Sequence, residues 1–326
     1  MTTATIDTRV LADLVQLACR APSVHNSQPW RLTARDGALR LFVEPQRVPH
    51  ATDQSGREAL ISCGALLDHI RVVAAAAGWQ ADIARFPNPN ELDHLATVSF
   101  RQREFVTDAE RARADAIARR RTDRLPFAEP PAWAEFEPVL RSTVDPDKAS
   151  LHILGDQARP RLAEATRLTE ALRRYDRSYH AELHWWTAPF EAADGVPYDN
   201  LVPVAERDRV DIARDFPAGG DPDQRAAAAR DRSVIAALCT DGDGRREALG
   251  CGEVLSDVLL EATMAGLATC TLTHLTELEA SRSVVRELTG GGDPQSLIRI
   301  GRVPETSGQP PATPRRPLGD VLVFEP

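Results

Sequence analysis

"REALISCGALLDHIRVVAAAAGW", residues 57 to 79, and "REALGCGEVLSDVLLEATMAGL", residues 246 to 267, are the stretches whose comparison decides the fold. Both begin Arg-Glu-Ala-Leu and both reach Cys-Gly, with one extra residue in the first. From the cysteines onward they keep register. Cys63, Gly64, Leu67, Ala74, Ala77 and Gly78 coincide with Cys251, Gly252, Leu255, Ala262, Ala265 and Gly266. Each run is helical in pattern, and each closes on a glycine suited to the left-handed position after a helix. Each also follows a short strand-like segment, "LRLFVE" or "SVIAALCT". Two Ala/Leu-rich helices look alike by composition alone, but the shared start, the Cys-Gly pair and the terminal glycine favour an internal duplication. The chain then reads as two related halves, paired as the subunits of a homodimer would be.

Outward from these helices, "DTRVLADLVQLACR" (7 to 20) has helical spacing of Val10, Leu11, Leu14, Val15 and Leu17, with Asp7 or Thr8 as its cap. It must stop by Ala21, because Pro22 disfavours helical geometry in the residue before it. "RLTARDGALRLFVE" reads as two strands around an Asp36–Gly37 turn. "DHLATVSFRQRE", "ASLHILGD", "SVIAALCT" and "QSLIRIGRVP" read as further strands, and 108 to 121 and 156 to 186 as helical. A long Gly-, Pro- and Asp-rich stretch after "HWW" has the character of a lid or binding segment.

The chain has 326 residues, a net charge of −9 and 42% hydrophobic residues, ordinary for a globular protein of one large or two smaller domains. Acidic balance argues against a nucleic-acid partner. No basic segment precedes an apolar N-terminal core, and no run approaches about 18 apolar residues, so neither a signal peptide nor a membrane partner is expected and the expected location is cytoplasmic. Five cysteines without a CxxC pair are expected as buried free thiols. Lys148 is the single lysine. The arginine excess suits planar recognition of phosphate, though coding bias would produce it too. His180 and His184 in "HAELH" lack the glutamate placement of a zinc protease and a third ligand, so no metal is expected.

Three separated pieces carry chemistry. "APSVHNSQPW" (21 to 30) offers Ser23, Asn26 and Gln28 as donors and acceptors for the edge of a planar heteroaromatic, in a loop stiffened by Pro22 and Pro29. "RRRTDRLPF" (119 to 127) clusters Arg120, Arg121 and Arg124 about Thr122, and the tail adds Arg315 and Arg316. Several guanidiniums with a hydroxyl suit a phosphate dianion.

"APSVHNSQPW" resembles the Ala-Pro-Ser-x-x-Asn-x-Gln-Pro-Trp loop of the FMN-dependent nitroreductase family. "RRRTDRLPF" resembles that family's Arg-Arg-Ser-x-Arg-x-Phe signature with Thr122 in the serine place, and "IGRVP…PRRPL" its Gly-x-Pro and basic pair. The loop precedes the arginines here, and with the duplicated helix this order is similar to the Acg group of nitroreductase-like proteins. The resemblance implies an α+β, nitroreductase-like fold of two duplicated halves, each with a mainly antiparallel sheet and helices, forming an intrachain pseudo-dimer. Residues 1 to 110 would be the half carrying the loop. Residues 111 to 326 would be the half carrying the arginines, with a lid-like insertion at about 180 to 232. The second half has only "TVDPDKA" where the loop should recur, so one FMN per chain is implied between the halves, with the second site dead.

The resemblance assigns Arg120, Arg121, Thr122, Arg124, Arg315 and Arg316 to phosphate and ribityl, and Pro22, Ser23, Asn26 and Gln28 to the isoalloxazine. Thr273 and His274 of "TLTHL" follow as ring contacts, and His25 as a lid or solvent residue. FMN would carry the chemistry, with no catalytic side chain, taking hydride from NADH or NADPH for a nitro compound, quinone or similar small-molecule acceptor. Trp185 and Trp186 are either core aromatics or a lid over the flavin that excludes nicotinamide. In the latter case the chain would be a flavin-binding or storage protein with little turnover. It would act as a monomeric pseudo-dimer or pair further as a homodimer.

Overall fold

A computed structural model describes residues 5–188, 193–220, 230–304 and 310–326. Helix α1 (Thr8–Ala18) starts where the Asp7 side chain accepts from the Arg9 amide at 2.7 Å. Strands β1 (Trp30–Arg35) and β2 (Ala38–Val43) form a hairpin whose turn residues Asp36 and Gly37 both have positive φ, the geometry of a two-residue hairpin turn. Helix α2 (Arg57–Ala76) leads through Gly78, at φ +82°, into β3 (Trp79–Arg85), which pairs with β4 (His94–Gln102). Helix α3 (Asp108–Arg119) opens on a reciprocal cap between Thr107 and Glu110.

Helix α4 (Trp133–Ser142) precedes β5 (Ser150–Leu154), and α5 (Arg159–Arg173), α6 (Arg177–Trp186) and the short α7 (Val204–Arg207) follow. Strand β6 (Val234–Thr240), helix α8 (Arg245–Met264) and β7 (Ala268–Leu272) come next, then α9 (Glu279–Thr289) and β8 (Asp293–Gly301). The one-turn α10 (Leu318–Val321) and β9 (Leu322–Phe324) end the chain.

The two sheets repeat one plan. The first runs β3-β4-β2-β1, and the second runs β7-β8-β6-β5, with every one of these pairings antiparallel. In both, the long helix joins the second strand to the third. The first sheet also gains β9, lying parallel to β1 with Leu322 opposite Leu32. The chain end thus crosses from the second half into the first half's sheet, and carries Arg315 and Arg316 with it.

Helices α2 and α8 pack on each other at the centre. A Cβ built on Gly64 would lie 2.0 Å from the Leu249 carbonyl oxygen, and one on Gly252 would lie 2.0 Å from the Ile61 carbonyl oxygen. Gly64 and Gly252 are partners in the sequence echo, and so are Ile61 and Leu249. The crossing is therefore self-complementary, as an isologous contact is, but within one chain. Around it one apolar core takes residues from both sheets, among them Trp30 and Leu41 of the first and Leu238 and Ile298 of the second.

All five cysteines are buried and free. Helix α2 is long and apolar enough by length and composition to cross a membrane, but 83% of that window is buried inside the protein.

Candidate functional site

The loop after α1 holds itself in a costly shape. His25, Asn26 and Gln28 all have positive φ, at 50°, 56° and 50°. Non-glycine residues take that region uncommonly, Asn and His more readily than most, and such strain persists only where surroundings enforce it. The Gln28 amide donates to Ser23 Oγ at 3.0 Å and the Val24 amide to Ser62 Oγ at 3.2 Å, fixing the loop on α2.

This loop borders a cavity lined by early and late segments of the chain. Pro22, Ser23, Val24 and His25 line one side, with Glu58, Ile61 and Ser62 of α2. Thr122 and Arg124 come from the arginine segment, and Cys270 to His274 from the end of β7. Of the twelve sequence-predicted site residues, the structure brings Pro22, Ser23, Thr122, Arg124, Thr273 and His274 to this one cavity.

Arg20, Arg120, Arg121 and Arg315 gather beside Pro22 and Thr122. Arg120 is buried; its Nη2 reaches only the Arg20 carbonyl at 3.5 Å and its Nε has no partner. Burial, then Arg20 and Arg121, lower its guanidinium to about 10. Burial, then Arg120 and Arg20, lower Arg315 to about 9. Arg315 donates to the carbonyls of Cys19, Arg20 and Ala21 at 2.9, 3.0 and 3.2 Å. Among the described residues no carboxylate pairs with these four cations. Converging guanidiniums without a counter-charge are an anion site in their donor chemistry.

Three predicted contacts are placed otherwise. Arg316 Nη1 pairs with Glu44 at 2.8 Å, so its charge is satisfied away from the cluster. The Asn26 side chain donates to the carbonyls of Gly195 and Pro314, at 3.0 and 3.1 Å, and Gln28 Nε2 donates to the Ala193 carbonyl at 2.9 Å. Gln28 Oε1 accepts from the Arg316 amide at 2.9 Å. Asn26 and Gln28 thus clasp the loop to the insertion and the tail rather than lining the cavity. Arg121 donates to the Ala118 and Arg120 carbonyls, capping α3, while its charge still faces Arg20 and Arg120.

The tryptophan lid needs the same correction. Trp185 is 68% exposed, and Trp186 is buried with its carbonyl accepting from the Val196 amide. Neither lines the cavity. The insertion enters it through Val202, Ala213, Arg214 and Phe216 instead. Phe216 meets His25 edge-on at 5.5 Å and lies under Arg124 at 5.2 Å. Arg214 pairs with Glu277 and donates to Thr273 Oγ1 and Tyr179 Oη. Burial opposes its charge, but Glu277, Tyr179 and Glu58 outweigh burial and raise it.

His25 is no solvent residue: burial, then Arg214 and Arg124, hold it well below its usual range. His274 is pushed to about 3 by burial and Arg214, and its Nδ1 has no partner. Residues 189–192 and 221–229 of the expected lid lie outside the described residues.

Sequence reasoning passed over Arg20, Glu58, Arg214 and Phe216. Arg20 reads as a helix end, Glu58 as part of the repeated Arg-Glu-Ala-Leu, and Arg214 and Phe216 as loop. Only Arg20, adjoining the loop motif, carried a usable signal.

Fold and site together define an α+β chain of two like sheets with a guanidinium-lined cleft in their seam. No family model matches the chain. It is 55% identical over 318 residues, 97% of its length and 96% of the relative's, to a protein of Mycobacterium tuberculosis strain H37Rv described as "Putative NAD(P)H nitroreductase acg". A second protein of that strain, "Putative NAD(P)H nitroreductase Rv3131", is 36% identical over 319 residues, 97% of this chain and 92% of that one. The solved FMN-dependent nitroreductase NfnB from Mycobacterium smegmatis, in complex with NADPH, is similar at 19% identity and a TM-score of 0.40, over 67% of this chain and 100% of that one. The chain belongs to the nitroreductase family of these Mycobacterium tuberculosis relatives.

Proposed function

We propose that the chain is an NAD(P)H-dependent oxidoreductase that holds one FMN in the seam between its halves and reduces a small-molecule acceptor. The observation that carries this reading is the four-arginine cluster, with no carboxylate paired to it among the described residues, adjoining the cavity through Pro22 and Thr122. The donor set fits the cofactor: a buried Nε without an acceptor and guanidiniums lowered by burial and by one another gain most from a phosphate dianion. Arg20, Arg120 and Arg315 would hold the phosphate, with Arg121 adding charge. Pro22, Ser23, Thr122, Arg124 and the Thr271–His274 segment would flank the ring system.

The chemistry supplied by bound FMN is hydride transfer from NAD(P)H to an acceptor such as a nitro compound or quinone. The chain's own part is placement and dryness. The apolar wall of Ile61, Leu255, Leu272 and Phe216 excludes water, and the tight loop fixes Pro22 and Ser23 against α2.

The pseudo-equivalent cleft supports a single cofactor. In the register that matches Cys63 with Cys251, Arg85 stands where Thr273 stands. Arg85 binds Glu253 through two contacts of 2.6 Å, and Lys148 reaches the same carboxylate at 3.0 Å. The space is filled by charge that is already paired.

A second reading has its own support. Arg214 and Phe216 stand inside the cavity, and the buried Arg214–Glu277 pair anchors them there. A chain so closed would hold flavin with little turnover. One experiment separates the two: purify the protein with its flavin and add NADPH without oxygen. Rapid bleaching of the oxidised-flavin band is the expected result. A band that persists favours the occluded reading, and a protein that retains no FMN overturns both.

A further inference from the structure

Glu58 stands in the first turn of α2, lines the cavity and is 2% exposed. Among the described residues neither of its carboxyl oxygens has a hydrogen-bond partner. Buried polar atoms are nearly always paired, so two orphan oxygens on one wall of a cleft call for an explanation.

The surroundings decide its protonation. Burial, the neighbouring Glu277 and Asp53 favour the neutral acid, while Arg214 and Arg57 favour the carboxylate. The first group wins, and the carboxyl titrates well above its ordinary range. The other groups are committed: Glu277 to Arg214, Asp53 to the Ala59 amide, and Arg57 to the Thr276 carbonyl. His25 and His274, on the same cavity, are held uncharged by burial and Arg214, and both are too weakly basic there to deliver a proton at neutral pH. Glu58 is therefore a buried carboxyl on the wall of the cavity, with neither oxygen hydrogen-bonded among the described residues.

We propose that Glu58 is the proton donor to the electron acceptor during its two-electron reduction. This rests on the flavin reading above. With a quinone as acceptor, bound FMN would supply the hydride that bonds to one quinone oxygen, and the electrons would shift through the quinone ring to the other oxygen. The Glu58 O–H bond breaks and its proton goes to that second oxygen, giving the hydroquinone. The Glu58 carboxylate, steadied by Arg214, regains a proton from water before the next turnover. An acid whose neutral form is favoured by burial and by neighbouring carboxylates, next to a cation that stabilises its conjugate base, is suited to this role.

The test compares wild type with Glu58→Gln, a near-isosteric change that keeps the fold but removes the acid. Both proteins are loaded with FMN, reduced with dithionite so that nicotinamide access does not matter, and mixed with a quinone across pH. The variant should reoxidise about 100-fold more slowly, the scale of general-acid catalysis, and lose the wild type's decline at high pH. Ferricyanide, which takes electrons without a proton, should reoxidise both at the same rate. Slowing with ferricyanide too would mark Glu58 as structural and overturn the proposal. Equal quinone rates with flavin bound in both would overturn it as well, whereas a wild type that binds no FMN would overturn the reading beneath it.

A flavin-free readout checks the premise. The folded state keeps the Glu58 proton to higher pH than the unfolded state, whose carboxyl titrates near 4.5. The wild type should therefore lose stability relative to the variant as pH rises above that value. A difference flat in pH would remove the neutral acid, and the proposal with it.

Discussion

Arg120 is a buried charge held among other charges of its own sign. Its Nε is unpartnered, and its one described side-chain contact is at the limit of a hydrogen bond. Such an arrangement costs stability until an anion arrives. Replacing Arg120 by Met keeps the apolar stem and removes the charge. The flavin-free variant should unfold at a higher temperature than flavin-free wild type, by roughly 1 kcal/mol of stability. Its FMN affinity should fall by about 10- to 100-fold, the worth of a charge-assisted hydrogen bond or two. Flavin titration and thermal melts of the same preparations read both changes, and a variant that binds FMN as well as wild type would refute the phosphate assignment. The sequence exposed this cluster because consecutive arginines beside a hydroxyl are visible in one dimension. It misplaced Arg316, since nothing local reveals that Glu44, far back in the chain, claims that guanidinium. Asn26 and Gln28 were legible as polar loop residues, but their targets, the Gly195, Ala193 and Pro314 carbonyls, depend on a long-range fold.

Elements were easier to read where their pattern was long. Helices α2 and α8 carry twenty residues each and end on recognisable glycines, so their extents follow closely from sequence. Strand β3 went unread because "WQADIAR" is largely half-buried and alternates weakly. Strand β7 is five residues, too short to stand out. What the repeated Cys-Gly could not reveal was its purpose, which is the close approach of two backbones. An alanine at Gly64 would place a methyl 2.0 Å from the Leu249 carbonyl oxygen, and an alanine at Gly252 would meet Ile61 in the same way. A carbonyl oxygen in a helix cannot swing aside as a side chain can, so the helices must separate. Each substitution should destabilise the chain by at least about 1–3 kcal/mol, the usual cost of overpacking. Near-equal effects of Gly64→Ala and Gly252→Ala in denaturant unfolding would fit a self-complementary crossing. A large effect at one site alone would not.

For the whole molecule, the question is why one chain built on a repeated plan should work at one seam only. The strand orders match sheet for sheet, yet the tail is exchanged in one direction: β9 joins the first sheet beside β1, bringing Arg315 to the loop that follows α1. The second half offers no such loop between α4 and β5. In its place the lone lysine, Lys148, meets Glu253, which Arg85 also grips. Glu253 is 1% exposed and lies between the two cations, so emptying this cleft would strand a buried charge. Saturating flavin-free protein with FMN should therefore end at one equivalent per chain, read by equilibrium dialysis. Lys148→Ala should not add a second equivalent, because Arg85 still grips Glu253 there and, among the described residues, the guanidinium cluster has no counterpart beside it. Two equivalents bound by wild type would mean that the paired charges part readily, and that the asymmetry of tail and loop does not decide where the cofactor sits.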